Sequence, residues 1–267
     1  MRFYYLFLTK ITTIPIPIMA PTPIAIGLYR IIGVFNGRVK LIKADYVTSD
    51  ILGVDGRDYY GMYEEGDWNS TSYYRGNMDT STIAAYRWNY DTSISENGSN
   101  NWTTSELNII NLNKNYLNNF GSWADLIGET TWYVGGINQN ELSLANSYYE
   151  AERDNTDLIT YYAKIGLMYQ SDYGYAASPD YWINSLNSYD TVVDYNWMYM
   201  GLDEWTITPH TSSNGYLEFA DYVDSRGRVT NTYAMFGFAI RPVFYLQSSV
   251  LYSSGDGSID NPYRIEI

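Results

Sequence analysis

The chain has 267 residues, with 16 basic and 30 acidic side chains, 30 tyrosines, one histidine and no cysteine. Without cysteine there is no disulfide framework, thiolate metal site or cysteine nucleophile, and one histidine excludes multi-histidine zinc and copper sites. A formal net charge of −14 argues against nucleic acid as a partner, and an aromatic content of 17% argues against disorder.

The charge is divided along the chain. Met1 to Ala44 holds six basic residues and no acidic one, which leaves 10 basic and 30 acidic residues, a net of −20, in 45–267. Pro15, Pro17, Pro21 and Pro23 fall within nine residues. The uncharged run Ile11 to Leu28 has the polarity of a membrane span, but each interior proline costs a helix about 3 kcal/mol or more, so no transmembrane helix is expected. Arg2 followed by the apolar Phe3 to Leu8 reads as a secretory signal interrupted by Lys10. The alternatives are an extended leader or linker, or a start assigned upstream of the real domain. Residues 1–27 are therefore set apart from a single domain over 28–267.

That domain begins with two β-branched runs, Tyr29–Phe35 and Arg38–Ala44, flanking Asn36-Gly37, the strongest short-range hairpin signal. From Asp45 to Ser99 little periodicity is visible, and loop anchored by Trp88 is expected. Thr103 and Glu106 have capping-box spacing, and Trp102 and Leu107 have that of a hydrophobic staple. Ile109, Ile110, Leu112, Tyr116, Leu117 and Phe120 then supply an apolar face, so a helix should run to about Asn119 and stop near Gly121. A second helix is expected over Leu142 to Arg153 with Tyr148 and Tyr149 inward, then a buried strand over Ala163 to Tyr169 and a turn from Ser171 to Pro179. Strands are expected over Trp205–Thr208, ending at Pro209, over Phe219–Val223 before the turn Asp224-Ser225-Arg226-Gly227, over Phe238–Leu246, and over Tyr263–Ile267.

Trp102-Thr103-Thr104-Ser105-Glu106-Leu107, followed by Leu112-Asn113 and Tyr116-Leu117, resembles the Trp-containing helix of bacterial C-type-lectin-like domains. Trp205-Thr206, Ala220 to Val223, Gly227 and Ala239-Ile240-Arg241-Pro242-Val243 are similar to the closing half of that fold, shared with formylglycine-generating enzymes and the variable proteins of diversity-generating retroelements. Lys164 to Pro179 and the C-terminal motifs Arg241-Pro242-Val243-Phe244-Tyr245-Leu246 and Gly255-Asp256-Gly257-Ser258 with Asn261-Pro262-Tyr263 look like a group of uncharacterised surface proteins of gut bacteria. The resemblance covers about Leu28 to Ile267. It implies an α+β fold, a small twisted antiparallel sheet with packed helices and extensive loops, serving as a binding platform at the cell surface or after secretion. The formylglycine-generating enzymes oxidise through cysteines that hold copper, which this chain lacks.

The functional expectation is therefore a non-catalytic module recognising a protein or glycan. Its candidate ligand residues are Tyr189, Asp194, Tyr195, Asn196, Tyr199, Asn214, Tyr216, Asn231 and Tyr233, because rigid tyrosine rings and short polar side chains make the alphabet of paratopes. The same alphabet arises when asparagine codons are randomised, as in retroelement-diversified proteins. Trp102, Trp205, Arg241 and Pro242 are expected to be structural, as is Trp197. Arg241, the one basic residue inside an apolar strand, is expected to be buried against a carboxylate or carbonyls. No cofactor is expected. Asp256 and Asp260, or Asp221 and Asp224, could supply Ca²⁺ ligands, but the glycine and distal glutamate of an EF-hand are missing. Two rival readings remain open. A surface glycan hydrolase could use Asp172, Asp180 or Glu204, or His210 with Asp203 or Glu204, though a solvated loop histidine is the default; a pilus-associated structural subunit would need no site. Asn69, Asn97 and Asn101 open glycosylation sequons of a kind common by chance in so Asn- and Thr-rich a chain.

Overall fold

Asn36 and Gly37 both take positive φ, 51° and 75°, so the chain reverses in a two-residue hairpin whose twist suits the flanking strands. In this computed structural model the described residues are 7–8, 28–66, 70–135, 142–153, 159–211, 215, 217–256 and 263–266. Strand β1 (Phe7–Leu8) pairs with the start of β2 (Tyr29–Phe35), which runs antiparallel to β3 (Arg38–Lys43). The rest of 1–27, with the leader expected there, lies outside the described residues. Helix α1 (Ser49–Leu52) follows, then β4 (Tyr59–Met62) and β5 (Ala84–Arg87), so the expected loop region contains a small sheet. Trp88 anchors it as expected: its indole is fully buried and donates to the Thr206 carbonyl at 2.9 Å.

The Trp102 region winds differently from the expectation. Asn101, not Thr103, caps the first turn, its side chain accepting from the Thr103 amide, and Glu106 turns to the Arg57 amide instead of closing a capping box. A single 3₁₀ turn, Trp102–Thr104, precedes a π-helix over Leu107–Tyr116, followed by α2 (Leu117–Phe120), which stops at Gly121 with φ 53°. The wider i→i+5 turn rotates Leu107, Asn111, Leu112 and Tyr116 inward and leaves Ile109 in solvent. Asn111 is tolerated inside because it donates to the Leu52 carbonyl at 2.9 Å. Asn113 both donates to and accepts from the Ile165 backbone, 2.9 Å each way, and docks this helix on the main sheet.

Strands β6 (Ile127–Gly128) and β7 (Thr130–Gly135) come next, then α3 (Ala145–Ala151), shorter than the expected 142–153 and with Tyr148 and Tyr149 half-buried. The expected strand from Ala163 to Tyr169 breaks at Lys164 into β8 (Ile159–Ala163), which pairs with β7, and β9 (Ile165–Gly166), which joins the main sheet; the Lys164 ammonium donates to the Ala124 carbonyl. The expected turn from Ser171 to Pro179 is largely helix α4 (Gln170–Tyr175), with the Asp172 carboxylate accepting from the Tyr169 amide at its start.

The closing third holds β10 (Glu204–Pro209), β11 (Phe219–Val223), β12 (Val229–Tyr233), β13 (Gly237–Phe238), β14 (Val243–Leu246), β15 (Leu251–Ser254) and β16 (Arg264–Glu266). Pro242 lacks an amide to donate and divides the expected Phe238–Leu246 strand; its carbonyl accepts from the Lys43 amide at 3.0 Å. Strand β14 is the centre of the main sheet, paired with β3 on one side and with β6 and β9 on the other. Smaller sheets, β10-β11-β12 and β13-β5-β4, surround it, so the architecture is α+β with small antiparallel sheets. One hydrophobic cluster from Tyr29 to Leu246 joins them, centred on the buried Trp88, Trp102, Trp132 and Trp205. At about 25 cal/mol/Å², each indole removed from water contributes at most roughly 5 kcal/mol.

Candidate ligand-binding groove

Four of the nine expected ligand residues line one groove of about 410 Å³: Asp194, Tyr195, Asn196 and Tyr199. Tyr195 and Asp194 project into solvent from the 3₁₀ turn Val193–Tyr195. The Tyr195 ring is 53% exposed and lies nearly parallel to that of Tyr181, centroids 4.6 Å apart. The Ser178 amide donates to the Tyr195 carbonyl at 3.0 Å and fixes the turn beneath it.

Across the groove stands Arg75, a residue that no local sequence pattern singles out. Its guanidinium lies 4.6 Å from the centroid of the Tyr199 ring and donates to the Val193 carbonyl at 3.0 Å and to Asp194 Oδ1 at 2.7 Å. The Arg75 amide donates to the Met200 carbonyl. This close approach needs Gly201, whose φ is +88° and where a Cβ would fall 1.9 Å from the Tyr73 carbonyl oxygen. Trp197, expected in the core, is only half-buried and forms part of the groove wall, and its indole N–H has no partner among the described residues. Burial pushes the Tyr199 hydroxyl up to about 12, Arg75 opposing, so it remains a neutral donor to the Ser225 carbonyl at 2.6 Å.

The other expected ligand residues have different places. Tyr189 is fully buried and donates to the carbonyls of Gly174 and Tyr181, so it holds the loop from inside and offers nothing to a ligand. Asn196 and Tyr199 also have buried side chains; Asn196 donates to the Tyr173 carbonyl and accepts from the Met198 amide, which makes it a brace beneath the groove. Asn231 is exposed and Tyr233 half-buried on β12, where Tyr233 packs on Phe219 at 4.6 Å; neither lines the groove. Asn214 and Tyr216 lie outside the described residues, as do Asn69 and Asp260.

Two of the three carboxylates suited to hydrolysis are buried and paired. Asp172 is buried in an ion pair with the fully buried Lys40. Glu204 makes a bidentate pair with Arg241, Nε to Oε1 at 2.8 Å and Nη2 to Oε2 at 2.7 Å, and Arg241 also donates to the Met198 carbonyl. Burial pushes the Glu204 carboxyl up, and Arg241 counters it. Asp180 is exposed on a short turn. His210 meets neither Asp203 nor Glu204: its Nδ1 lies 2.9 Å from Asp221 Oδ1, a buried carboxylate on β11 that removes the ring from a freely solvated loop. Asp203 accepts from the Ser225 amide, and Asp224 accepts from the Arg226 and Arg228 amides and pairs with the Arg228 guanidinium, so both shape the β11–β12 turn. Among the described residues no group of three or more Asp, Glu or His side chains could hold a metal ion, and no helix is long and apolar enough to cross a membrane.

In comparisons with known proteins, the chain matches no family model, no curated protein and no solved structure.

Proposed function

We propose that the chain is a non-catalytic binding module, exported or displayed on a cell surface, that recognises a glycan in the groove between Arg75 and Tyr195. The observation that carries this reading is the exposed Tyr195 ring, stiffened by stacking on Tyr181 and set beside the donors and acceptors of the Arg75–Asp194 pair. A pyranose presents an apolar C–H face to such a ring and its hydroxyls to such a pair, and a ring already immobilised loses little entropy on binding. The burial and pairing of Asp172 and Glu204 speak against the hydrolase reading. A C-type-lectin-like fold is proposed on the same footing: support comes from the small antiparallel sheets, the loop-rich closing half and the buried Arg241 beside Pro242.

The test is a glycan array, with surface proteins included, probed with wild type, Tyr195→Ala and Arg75→Ala. Glycan binding by the wild type that both variants lose, at unchanged melting temperature, is expected. Binding only to proteins, turnover of a bound glycan, or equal binding by the variants would overturn the reading.

A further inference from the structure

A separate cleft of about 660 Å³ opens between the Asn36–Gly37 hairpin, β7, β8 and α3. It shares no lining residue with the Tyr195 groove. Two guanidiniums reach it in a domain otherwise strongly acidic. Arg38 lies over Tyr245, 5.0 Å from the ring centroid, and donates to the Glu129 carbonyl at 2.8 Å and to Thr130 Oγ1 at 2.7 Å. Arg153 lies over Tyr149 at 4.1 Å, with Tyr169 and Phe35 at 5.3 and 5.6 Å. Rings and neutral oxygens thus preset the Arg38 fork, and rings with the Ser171 hydroxyl and Glu152 preset that of Arg153, before any ligand arrives.

The charges behind them are matched. Glu152, fully buried, stands 3.4 Å from Arg153 and also accepts from the Ser171 hydroxyl, while Lys40 is taken by Asp172. Arg38 has no carboxylate within ion-pair distance among the described residues, and Glu129 is exposed at the rim. Two guanidiniums are set against the carboxyls of Glu129, at the rim, and Glu152, so the net positive charge of the cleft is at most about one. A singly charged planar carboxylate fits both the count and the geometry of a guanidinium fork, whereas a phosphate dianion exceeds the count. The remaining walls are tyrosine rings: Tyr133, Tyr149 and Tyr162, the last 65% exposed, with Asn36 and Thr131 as polar neighbours. Such surfaces suit the C–H faces and hydroxyls of a sugar, and the volume lies within the ~300–1,000 Å³ of small-ligand pockets.

We infer that this cleft binds a carboxylate-bearing sugar, a uronic or sialic acid, with Arg38 and Arg153 on the carboxylate and Tyr149 and Tyr162 against the ring. The site does not rest on the Tyr195 groove. The full chain is titrated calorimetrically with digalacturonic acid and with sialyllactose, each beside its neutral counterpart (galactobiose, lactose), and with inorganic phosphate. Saturable binding of at least one acidic sugar is expected, with the neutral sugars and phosphate weaker by about tenfold or more. Arg38→Gln and Tyr162→Ala should each weaken it about tenfold, and Tyr195→Ala should leave it unchanged. Tyr162 is exposed, so its truncation tests the site without endangering the fold. No binding of either acidic sugar overturns the proposal, as does binding indifferent to both variants, competition by phosphate on equal terms, or loss of binding in Tyr195→Ala.

Discussion

Two arginine–carboxylate pairs in this molecule have nearly the same contact distance and opposite surroundings. Arg241 and Glu204 meet at 2.7 Å with side-chain exposures of 0% and 3%; Arg75 and Asp194 also meet at 2.7 Å, with exposures of 41% and 79%. The first pair cannot exchange its partner for water, so it ties the loop around Met198 to β10 and the segment before β14. The second has water as a permanent competitor and is free to trade a partner for a ligand. Water access, not contact geometry, separates a fold-organising pair from one open to exchange. Arg153–Glu152, at 18% and 0%, is an intermediate case.

The largest expected effect is at the buried pair. Arg241→Ala leaves Glu204 buried without its cation and should cost about 3–5 kcal/mol in denaturant unfolding; a wild-type midpoint would break the comparison. The intermediate pair should reveal itself through pH. Burial raises the Glu152 carboxyl from 4.5 to about 7, against the pull of Arg153 and the Ser171 hydroxyl and with a further push from Asp172. Between those values the native state holds a proton that the unfolded chain has released, so this contribution to stability declines as pH rises through the window and is level above it. The decline amounts to roughly 3 kcal/mol and should vanish in Glu152→Gln, as stability curves at pH 5 and pH 8 would show. Gly201→Ala, which drives a Cβ into the Tyr73 carbonyl, should cost roughly 1–3 kcal/mol and distort the Arg75 wall, read as lower stability together with weaker glycan retention. Smallest is Arg75→Ala: the exposed pair should contribute under about 1 kcal/mol, so melting stays near wild type while glycan binding is lost.

The elements legible in the sequence were those whose cause is local. Asn36-Gly37 and Asp224 to Gly227 carry their turns in their own backbone preferences and carboxylates. Arg241 stood out because a charge within an apolar strand needs a partner, although nothing local named Glu204. The π-helix was hidden because its register depends on Asn111 and Asn113 finding the carbonyls of Leu52 and Ile165, more than fifty residues away in each case. Beside the groove, Tyr189 and Tyr195 are the same residue type six positions apart, one sealed inside and one open to solvent, and the difference lies in how short 3₁₀ turns orient them. Arg75 completes the groove from 119 positions before Asp194, a distance no local pattern reports.

The placement of β14 has a consequence in time. Its neighbours β3, β6 and β9 are all synthesised earlier, and each keeps an unpaired edge until residues 243–246 arrive. A growing chain therefore holds the β2–β3 hairpin for some two hundred residues with the edge of β3 that later meets β14 still bare. Such an order of assembly favours slow, late closure of the main sheet.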